Sequence, residues 1–344
     1  MTVDQVTAEG HAPSEVLVVI VTYNSEAVIG SCLSALPASA GAGSLDVVVV
    51  DNASTDDTLA VVQACRPGTA VVRLPCNAGY AAAINAGAAR AGRETAVLVL
   101  NPDVRLAPGS VARLQERLAQ PGTGIAVPRL EDASGRLALS LRREPTISRV
   151  FGEALLGVPR AGRVVLLGET VSDPAAYVVA TAADWATGCA MLISAACRWA
   201  VGGWDESFFL YSEETDFALR ARAQGFALRL EPEARAVHLG GESTSSALLW
   251  TLLILNKIEC YGRHHGRVRT AAFRAGLILN ELLRTGRGRP IHRAGLRAVL
   301  RPGGRDAALH AIGAGAAVRR DEALSSQTVI RPATGVATMG EGQR

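Results

Sequence analysis

Short apolar runs alternate with amphipathic stretches over the first 120 residues of the chain. The runs VLVVIV at 16–21, VVVV at 47–50, AVVRL at 70–74 and AVLVL at 96–100 have strand length. Such continuous Val- and Leu-rich runs are typical of strands that are buried on both faces. Between them, apolar residues recur at helical spacing, as they do from 28 to 36. This alternation predicts βαβ units and a mostly parallel sheet.

Polar residues follow three of the predicted strands directly, as TYN at 22–24, DN at 51–52 and NPD at 101–103. Pro102 ends ladder pairing because it has no N–H, so Asp103 is predicted at the carboxyl edge of the sheet, where ligands bind in open α/β folds. A carboxylate there suits a hard cation that carries phosphate oxygens, although Asn-Pro-Asp alone is also a common turn. No G-x-G-x-x-G follows Val21, which excludes a Rossmann dehydrogenase.

The alternation weakens after residue 121. The Pro- and Gly-rich region 142–184 is predicted to be either an acceptor-side insertion or a mobile loop, and a strand is predicted at 188–194. Three acids, Glu213, Glu214 and Asp216, then precede a helical pattern, which would place them at the positive helix N-terminus. Taken alone, these acids are more often a capping cluster. Likewise, His238, at the end of a short predicted strand, is by itself more often structural.

Several segments in chain order carry a resemblance to a known family: VTYN at 21–24, VVVVDNASTDD at 47–57, NAGY at 77–80, NPDV at 101–104, GGWDESFFLYSEETDFALR at 202–220 and HLGGEST at 238–244. Over residues 15–245 the chain resembles the family 2 inverting glycosyltransferases, and within them most closely the bacterial rhamnosyltransferases. The resemblance implies a GT-A fold, with a Rossmann-like, mostly parallel sheet flanked by helices. It implies transfer of L-rhamnose from dTDP-L-rhamnose to a hydroxyl of a glycan, lipid-linked or secondary-metabolite acceptor. UDP-sugars and GDP-mannose are the alternative donors.

The resemblance also implies a nucleotide-sugar site, which would comprise Thr22, Tyr23, Asn24, Asp51, Asn77, Gly79, Asn101 and Asp103. Asp51 would accept the imide N–H of uracil or thymine, since a carboxylate is acceptor-only. Asp103 and His238 would hold Mn²⁺ or Mg²⁺. Asn101 departs from the Asp that opens the family's D-x-D motif, and it would contact the sugar or ribose.

The general base implied by the resemblance is Glu214, which matches the second residue of the family's acid pair, where Asp is commoner. Glu213 and Asp216 are the alternatives. Trp204 and Asp205 would contact the acceptor. Glycosyl transfer requires such a base near the acceptor hydroxyl, and one base without a covalent nucleophile means a single inverting displacement.

Two other classes of protein are alternatives to a glycosyltransferase. A sugar nucleotidyltransferase should have a Gly-rich basic loop after its first strand, and the TYNSE that follows Val21 is not such a loop. A non-catalytic nucleotide-sugar-binding protein would have lost the base or the metal ligand, and candidates for both are present. No nucleic-acid partner is predicted.

Charge divides the chain unevenly. Residues 257–305 hold 12 Lys and Arg against two Glu, a net charge of +10, whereas the remainder holds 23 basic and 30 acidic residues, a net charge of −7. The basic stretch interleaves Arg with apolar residues at helical spacing. Its helices either cover the catalytic domain or dock on an anionic surface, which would be a membrane leaflet or the diphosphate of a polyprenyl-linked acceptor. The apolar run at 247–255 is far shorter than the ~20 residues of a spanning helix.

The predicted organisation has a flexible leader without signal-peptide features, a nucleotide-sugar-binding half, an acceptor and catalytic half, a basic helical extension and a disordered tail, at 1–14, 15–120, 121–245, 246–320 and 321–344 respectively. The six cysteines show neither metal-ligand nor redox spacing. They are predicted to be reduced core residues. The predicted location is therefore the cytoplasm, with peripheral contact at the inner face of the cell membrane as a further hypothesis.

Overall fold

The computed structural model describes residues 16–240, 246–286, 290–301 and 303–312, together with the backbone of 328–330. The strands are β1 (Val16–Thr22), β2 (Leu45–Asp51), β3 (Ala70–Arg73), β4 (Ala96–Leu100), β5 (Val104–Leu106), β6 (Thr123–Glu131), β7 (Leu141–Arg142), β8 (Ala182–Ala183), β9 (Trp185–Ala186), β10 (Ala190–Ile193), β11 (Ala227–His238) and β12 (Thr328–Ile330). The helices are α1 (Glu26–Ser39), α2 (Thr58–Cys65), α3 (Tyr80–Ala88), α4 (Ser110–Leu118), α5 (Ile147–Leu156), α6 (Val158–Ala161), α7 (Ala195–Val201), α8 (Glu213–Ala223), α9 (Ala247–His264), α10 (Arg267–Thr285), α11 (Pro290–Leu300) and α12 (Gly304–Ala311). Two 3₁₀ turns span Pro174–Tyr177 and Glu206–Phe208.

One large sheet organises the chain, in the order β12-β3-β2-β1-β4-β10-β6-β11-β5, with β8 beside β11. Strands β1 to β4 are parallel to one another, and β11 runs parallel to β6. Strand β10 lies between the two parallel groups and is antiparallel to both of its neighbours. The predicted α/β architecture, with a mostly parallel sheet flanked by helices and a helical C-terminal region, is confirmed.

Strand β1 shows why the apolar runs are continuous. Its residues alternate between two core clusters, with Leu17, Val19 and Val21 in one cluster and Val16, Val18 and Ile20 in the other. Helix α3 packs on the first face so closely that a Cβ at Gly87 would lie 2.5 Å from a methyl group of Val19. Both faces of the sheet are therefore covered by apolar side chains, and its polar residues lie at the ends of the strands.

Two local predictions are wrong. In the sequence, Ser54 followed by Asp57 resembles a capping box, which predicts a helix that opens there. Helix α2 begins instead at Thr58, because the Ser54 N–H is bonded to the Asp51 carboxylate. The two short strands predicted at 228–230 and 234–239 are a single strand, β11, which is interrupted only by a register shift between Glu231 and Arg235.

Region 142–184, for which a mobile loop was one of the two predictions, contains helices and strands. Thr146 caps α5 by accepting the Arg149 N–H, and the Arg143 guanidinium bonds the carbonyls of Gly162 and Gly168. Its strands β7 and β9 form a separate two-stranded sheet. The role of this region as an acceptor-side insertion stays a prediction.

The C-terminal section forms four helices, α9 to α12. Their shared apolar cluster includes Phe273, Leu277 and Val299, and it reaches α5 where Gly276 lies against Val150. Among the described residues, no helix is both long and apolar enough to cross a membrane. The predicted leader 1–14 lies outside the described residues. So does most of the predicted tail, although its residues Thr328–Ile330 pair with β3 as strand β12.

The six cysteines are all free thiols. Four of them, Cys32, Cys189, Cys197 and Cys260, are buried as predicted, and burial raises the pKa of the Cys32 and Cys189 thiols to about 12. The core prediction is wrong for Cys65, which is exposed at the end of α2, and Cys76 is only half-buried.

Candidate active site

Two adjoining cavities open at the carboxyl ends of the parallel strands. The sheet-edge cavity, of about 530 Å³, is lined by residues that include Tyr23, Asn24, Asn52, Asn77, Gly79 and Asp103. The helix-side cavity, of about 480 Å³, lies between the start of α8 and helix α9, and its lining includes Arg142, Glu169, Glu213, Glu214, His238 and Lys257. Tyr80, Asn101 and Leu210 line both cavities, so a molecule in one cavity can contact a molecule in the other.

The loops after β2 and β3 are fastened to each other at the sheet-edge cavity. The Asn52 amide donates to the Asn77 side-chain oxygen at 2.8 Å and accepts the Ala78 N–H at 2.8 Å. Gly79 follows with a φ of +90°, and a Cβ there would lie 2.5 Å from the Phe209 carbonyl oxygen. Only glycine fits this close approach, which explains why position 79 is occupied by glycine.

Asp51 and Thr22 lie behind the cavity wall. Both are fully buried, and the Asp51 carboxylate accepts the Ser54 N–H at 3.3 Å and lies 3.6 Å from the Arg73 guanidinium. The Thr22 hydroxyl contacts the same carboxylate at 3.4 Å. In this conformation the carboxylate binds the chain's own loop and does not face the cavity. Tyr23, in contrast, is half exposed at the cavity surface.

Asp103 and His238, which the family resemblance implied as the two metal ligands, lie beside each other at the sheet edge. The Asp103 Oδ2 lies 3.2 Å from the His238 Nε2, and the Asp103 Oδ1 is buried without a hydrogen-bond partner. They come together because β5, which begins at Val104, pairs antiparallel with β11, which ends at His238. No cluster of three or more His, Cys, Asp or Glu suited to a metal was found in the described part of the chain. The protein therefore offers two ligand side chains here.

Tyr80 joins the two cavities and was not singled out from the sequence. Its hydroxyl donates to the Asn101 side-chain oxygen at 2.5 Å, with the Gly188 carbonyl 3.2 Å away. Burial, together with the carboxylates of Glu213, Glu214 and Asp103, raises its pKa well above the usual value, so it stays a hydrogen-bond donor. Tyr80 is the last residue of the NAGY segment, so a signal for it was present in the sequence.

Glu213 and Glu214 both line the helix-side cavity at the N-terminus of α8. Burial raises the pKa of Glu214 to about 7, and burial and then the neighbouring Glu214 raise the pKa of Glu213 well above its usual range. One carboxylate oxygen of each is buried without a partner. A carboxyl pair in this state can accept a proton from a hydroxyl near neutral pH.

Asp216 lies outside both cavities. Its Oδ2 accepts from the Arg220 guanidinium at 2.7 Å, one helical turn further along α8, and its Oδ1 is 3.6 Å from the His264 Nε2. The third acid of the cluster is therefore held in an ion pair.

Trp204 and Asp205, the predicted acceptor contacts, are not brought to either cavity. Trp204 is buried and stacks on Phe217, with ring centroids 4.6 Å apart. Asp205 caps the 3₁₀ turn by accepting the Ser207 N–H at 2.9 Å and pairs with Arg263. Both residues hold the loop that precedes α8. The charged residues of the helix-side cavity that the sequence did not reveal are Arg142, Glu169 and Lys257.

Residues 17–159 match the family described as "Glycosyl transferase family 2". The chain is similar to the N-acetylglucosaminyl-diphospho-decaprenol L-rhamnosyltransferase of Mycobacterium tuberculosis, with 28% identity over 240 residues that cover 66% of this chain and 76% of the relative. Among solved structures it is similar to a mannosyltransferase from Pyrobaculum calidifontis in complex with GDP-mannose and Mn²⁺, with 18% identity, a TM-score of 0.51, and coverage of 89% of this chain and 83% of the other.

The chain has a GT-A fold, an α/β fold with a large, mostly parallel sheet flanked by helices. Residues 17–159 match the family 2 glycosyltransferase domain, and the protein is a glycosyltransferase.

Proposed function

We propose that this glycosyltransferase transfers L-rhamnose from dTDP-L-rhamnose, with inversion, to a hydroxyl of a lipid-linked glycan. The observation that carries the proposal is the junction of the cavities. Asp103 lies in one cavity, the Glu214 carboxyl with a pKa near 7 lies in the other, and Tyr80 bridges them. The relative from M. tuberculosis, named as an L-rhamnosyltransferase that acts on N-acetylglucosaminyl-diphospho-decaprenol, supports this choice of sugar and acceptor class.

The nucleotide is proposed to occupy the sheet-edge cavity. Tyr23 would stack on the base, while Asn24, Asn77 and Gly79 would face the ribose and diphosphate. A role of Asp51 in reading the imide N–H would need its carboxylate to exchange the Ser54 N–H for the base, since the structure shows it bonded to that loop.

Asp103 and His238 fit a divalent cation. The Asp103 Oδ1 is a buried anionic oxygen without a partner, and the His238 imidazole lies beside the other oxygen. Oxygen with one nitrogen suits Mn²⁺ or Mg²⁺, and the remaining ligands would be water and donor oxygens. When bound, such a cation stabilises the charge of the departing diphosphate.

The acceptor is proposed to enter the helix-side cavity, where Glu214 takes the proton from its hydroxyl. Glu213 remains protonated and neutral beside it, because burial and the Glu214 charge raise its pKa further. The freed oxygen attacks the anomeric carbon while the bond from that carbon to the diphosphate oxygen breaks and dTDP leaves. This single displacement inverts the configuration. Asn101, in contact with Tyr80, would orient the sugar between the two partners.

A panel assay tests this proposal. Purified protein is incubated with dTDP-L-rhamnose, UDP-sugars or GDP-mannose, with N-acetylglucosaminyl-diphospho-polyprenol as acceptor and Mn²⁺ or Mg²⁺ present. We expect dTDP-L-rhamnose to give the highest kcat/KM, and the product to have inverted anomeric configuration. Saturable use of GDP-mannose alone, or a retained configuration, would reject the proposed reaction.

We further propose a cytoplasmic location with peripheral contact at an anionic membrane, supported by the free thiols and by the basic C-terminal helices. Some of these arginines are engaged within the protein, such as Arg274 on the Val299 carbonyl. Others, including Arg267 and Arg293, are exposed, as is Arg269, whose side chain also contacts Tyr261. Co-sedimentation with anionic vesicles at low salt, lost at high salt and in an Arg267→Glu/Arg269→Glu/Arg293→Glu variant, would support membrane contact. Equal sedimentation without vesicles would contradict it.

A further inference from the structure

A single buried amide from the C-terminal helices holds the loop that leads into the acid pair. Asn256 of α9 is fully buried, and its Nδ2 donates to the carbonyl oxygens of Phe208 at 2.7 Å, Leu210 at 2.8 Å and Tyr211 at 3.2 Å. Three carbonyls that point at one side chain fix the path of the backbone between them. We call residues 208–212 the catalytic-side loop, because Glu213 follows it directly.

This loop has a backbone that its own residues disfavour. Phe209, Tyr211 and Ser212 all have positive φ, at +63°, +69° and +76°, without being glycine. Non-glycine residues keep such conformations only where their surroundings hold them. A further restraint on the loop is the Phe209 carbonyl, which accepts the Tyr80 N–H at 2.6 Å.

Arg305 orients the amide of Asn256. Its guanidinium donates to the Asn256 Oδ1 at 2.7 Å and also to the Ser207 carbonyl. Because arginine only donates and carbonyls only accept, the partners leave one orientation of the Asn256 amide that satisfies every bond. An aspartate of the same shape would keep the Arg305 contact but would turn a negative oxygen toward the carbonyls.

The same helix forms one wall of the helix-side cavity. Trp250, Leu253, Lys257 and Cys260 of α9 all line it. Their spacing of three and four residues places them on neighbouring turns of the helix. Helix α9 therefore carries both a cavity wall and the anchor for the loop on the opposite wall.

We propose that Asn256 is a positioning residue for glycosyl transfer, which holds the catalytic-side loop so that Glu213 and Glu214 face the acceptor. The inference rests on the proposed role of the acid pair as base. It makes α9 and α12 part of the active site, although both lie beyond residues 17–159, which carry the family match.

The test compares Asn256→Ala and the isosteric Asn256→Asp with Asn280→Ala, a matched change on the neighbouring helix α10. The Asn280 side chain bonds Glu281 and Arg284, away from the loop. We expect both Asn256 variants to lose about 10–100-fold in kcat, the scale of a small misplacement of a catalytic group. The nucleotide Kd, measured by calorimetry, should stay within about twofold, and Asn280→Ala should resemble the wild type in both readouts.

A pH profile separates positioning from general destabilisation. The titratable groups around Glu214 include Glu213, Arg142, Tyr80, Cys189 and Cys260, and Glu169, Lys257 and His238 line the same cavity. If the loop loosens, water reaches the pair, and the acid limb of kcat/KM should move to lower pH. A folded Asn256→Asp variant with wild-type kcat would overturn the proposal. So would parallel losses of kcat and nucleotide affinity with an unmoved limb.

Glu214→Gln is measured in parallel. If that variant keeps full activity, the proposed base is rejected, whereas wild-type kcat in Asn256→Asp rejects the positioning role. The two failures are therefore distinguishable.

Discussion

The two cavities are built in different ways. The sheet-edge cavity takes its polar residues from the loops that follow β1, β2, β3 and β4, and two of these loops bond to each other through Asn52 and Asn77. The helix-side cavity takes its acids from the first turn of α8, which follows the catalytic-side loop and its three residues of positive φ. Helices more than 40 residues further along the chain hold that loop.

This difference separates two structural requirements. Strand pairing in the sheet is enough to form the sheet-edge cavity, which is the proposed nucleotide site, because the loops that line it begin where the strands end. The acceptor side needs the C-terminal helices to pack before its acids are placed. Damage to the strand ends should therefore affect every reaction of the donor, whereas damage to the loop should affect transfer alone.

The largest effect should come from the sheet edge. We expect Asp103→Ala to lower transfer by about 10³-fold or more, since a bound cation contributes several kcal/mol to charge stabilisation. Donor hydrolysis should fall with it, because both reactions release the diphosphate. Rates are measured with Mn²⁺ and with excess EDTA, and Asp173→Ala, an exposed capping residue of the 3₁₀ turn, is the control. Full activity in EDTA would refute the metal site.

The next effect lies on the acceptor side. Glu214→Gln keeps the shape of the side chain but cannot take a proton, so we expect kcat for transfer to fall ~10²–10⁴-fold with nucleotide affinity unchanged. Asp216→Asn breaks the ion pair with Arg220 outside the cavities and should mainly lower the Tm. Steady-state kinetics and thermal melts decide the assignment, which is refuted if Asp216→Asn is inactive and Glu214→Gln is active.

The pH dependence of kcat/KM and of stability should reflect the burial of Glu213 and Glu214. Because burial raises the pKa of Glu214 to about 7, kcat/KM should rise with pH through about 7 as the base loses its proton. The folded acid pair binds more protons than the unfolded chain above the ordinary Glu pKa, so its contribution to stability falls as pH rises across that window. Glu214→Gln should flatten both trends. A wild-type limb near pH 4.5 would contradict the burial argument.

The smallest effect should come from the bridge between the cavities. Tyr80→Phe removes the donor to Asn101 and leaves that side-chain oxygen without its partner. One neutral hydrogen bond contributes about 1 kcal/mol, so we expect roughly a fivefold loss in kcat/KM for transfer. Donor hydrolysis should change less, since water does not need the bridge. Equal losses in both reactions would place Tyr80 on the nucleotide side only.

The sequence predicted the sheet-edge side more fully than the acceptor side. Asp103 and His238 were expected together and lie 3.2 Å apart, and Gly79 was expected at the cavity that it lines. The position of Asp103 follows from a local signal, because a polar residue after an apolar run marks a strand end. The pairing with His238 and the role of Gly79 were implied by the family resemblance. Asp51 shows the limit, since its strand-end position was right but the Ser54 loop turns its carboxylate inward.

The sequence by itself determined the alternation of strands and helices, the polar edge of the sheet and the cluster of three acids, because these features depend on spacing along the chain. Only the tertiary structure decided which acids face the cavity. Arg220 withdraws Asp216, while burial leaves Glu213 and Glu214 with raised pKa values. Only the tertiary structure brought Asn256 to the catalytic-side loop. A contact across more than 40 residues depends on how the helices pack. Apolar periodicity marks which face of a helix is buried, but it does not reveal which distant residue a buried polar side chain will contact.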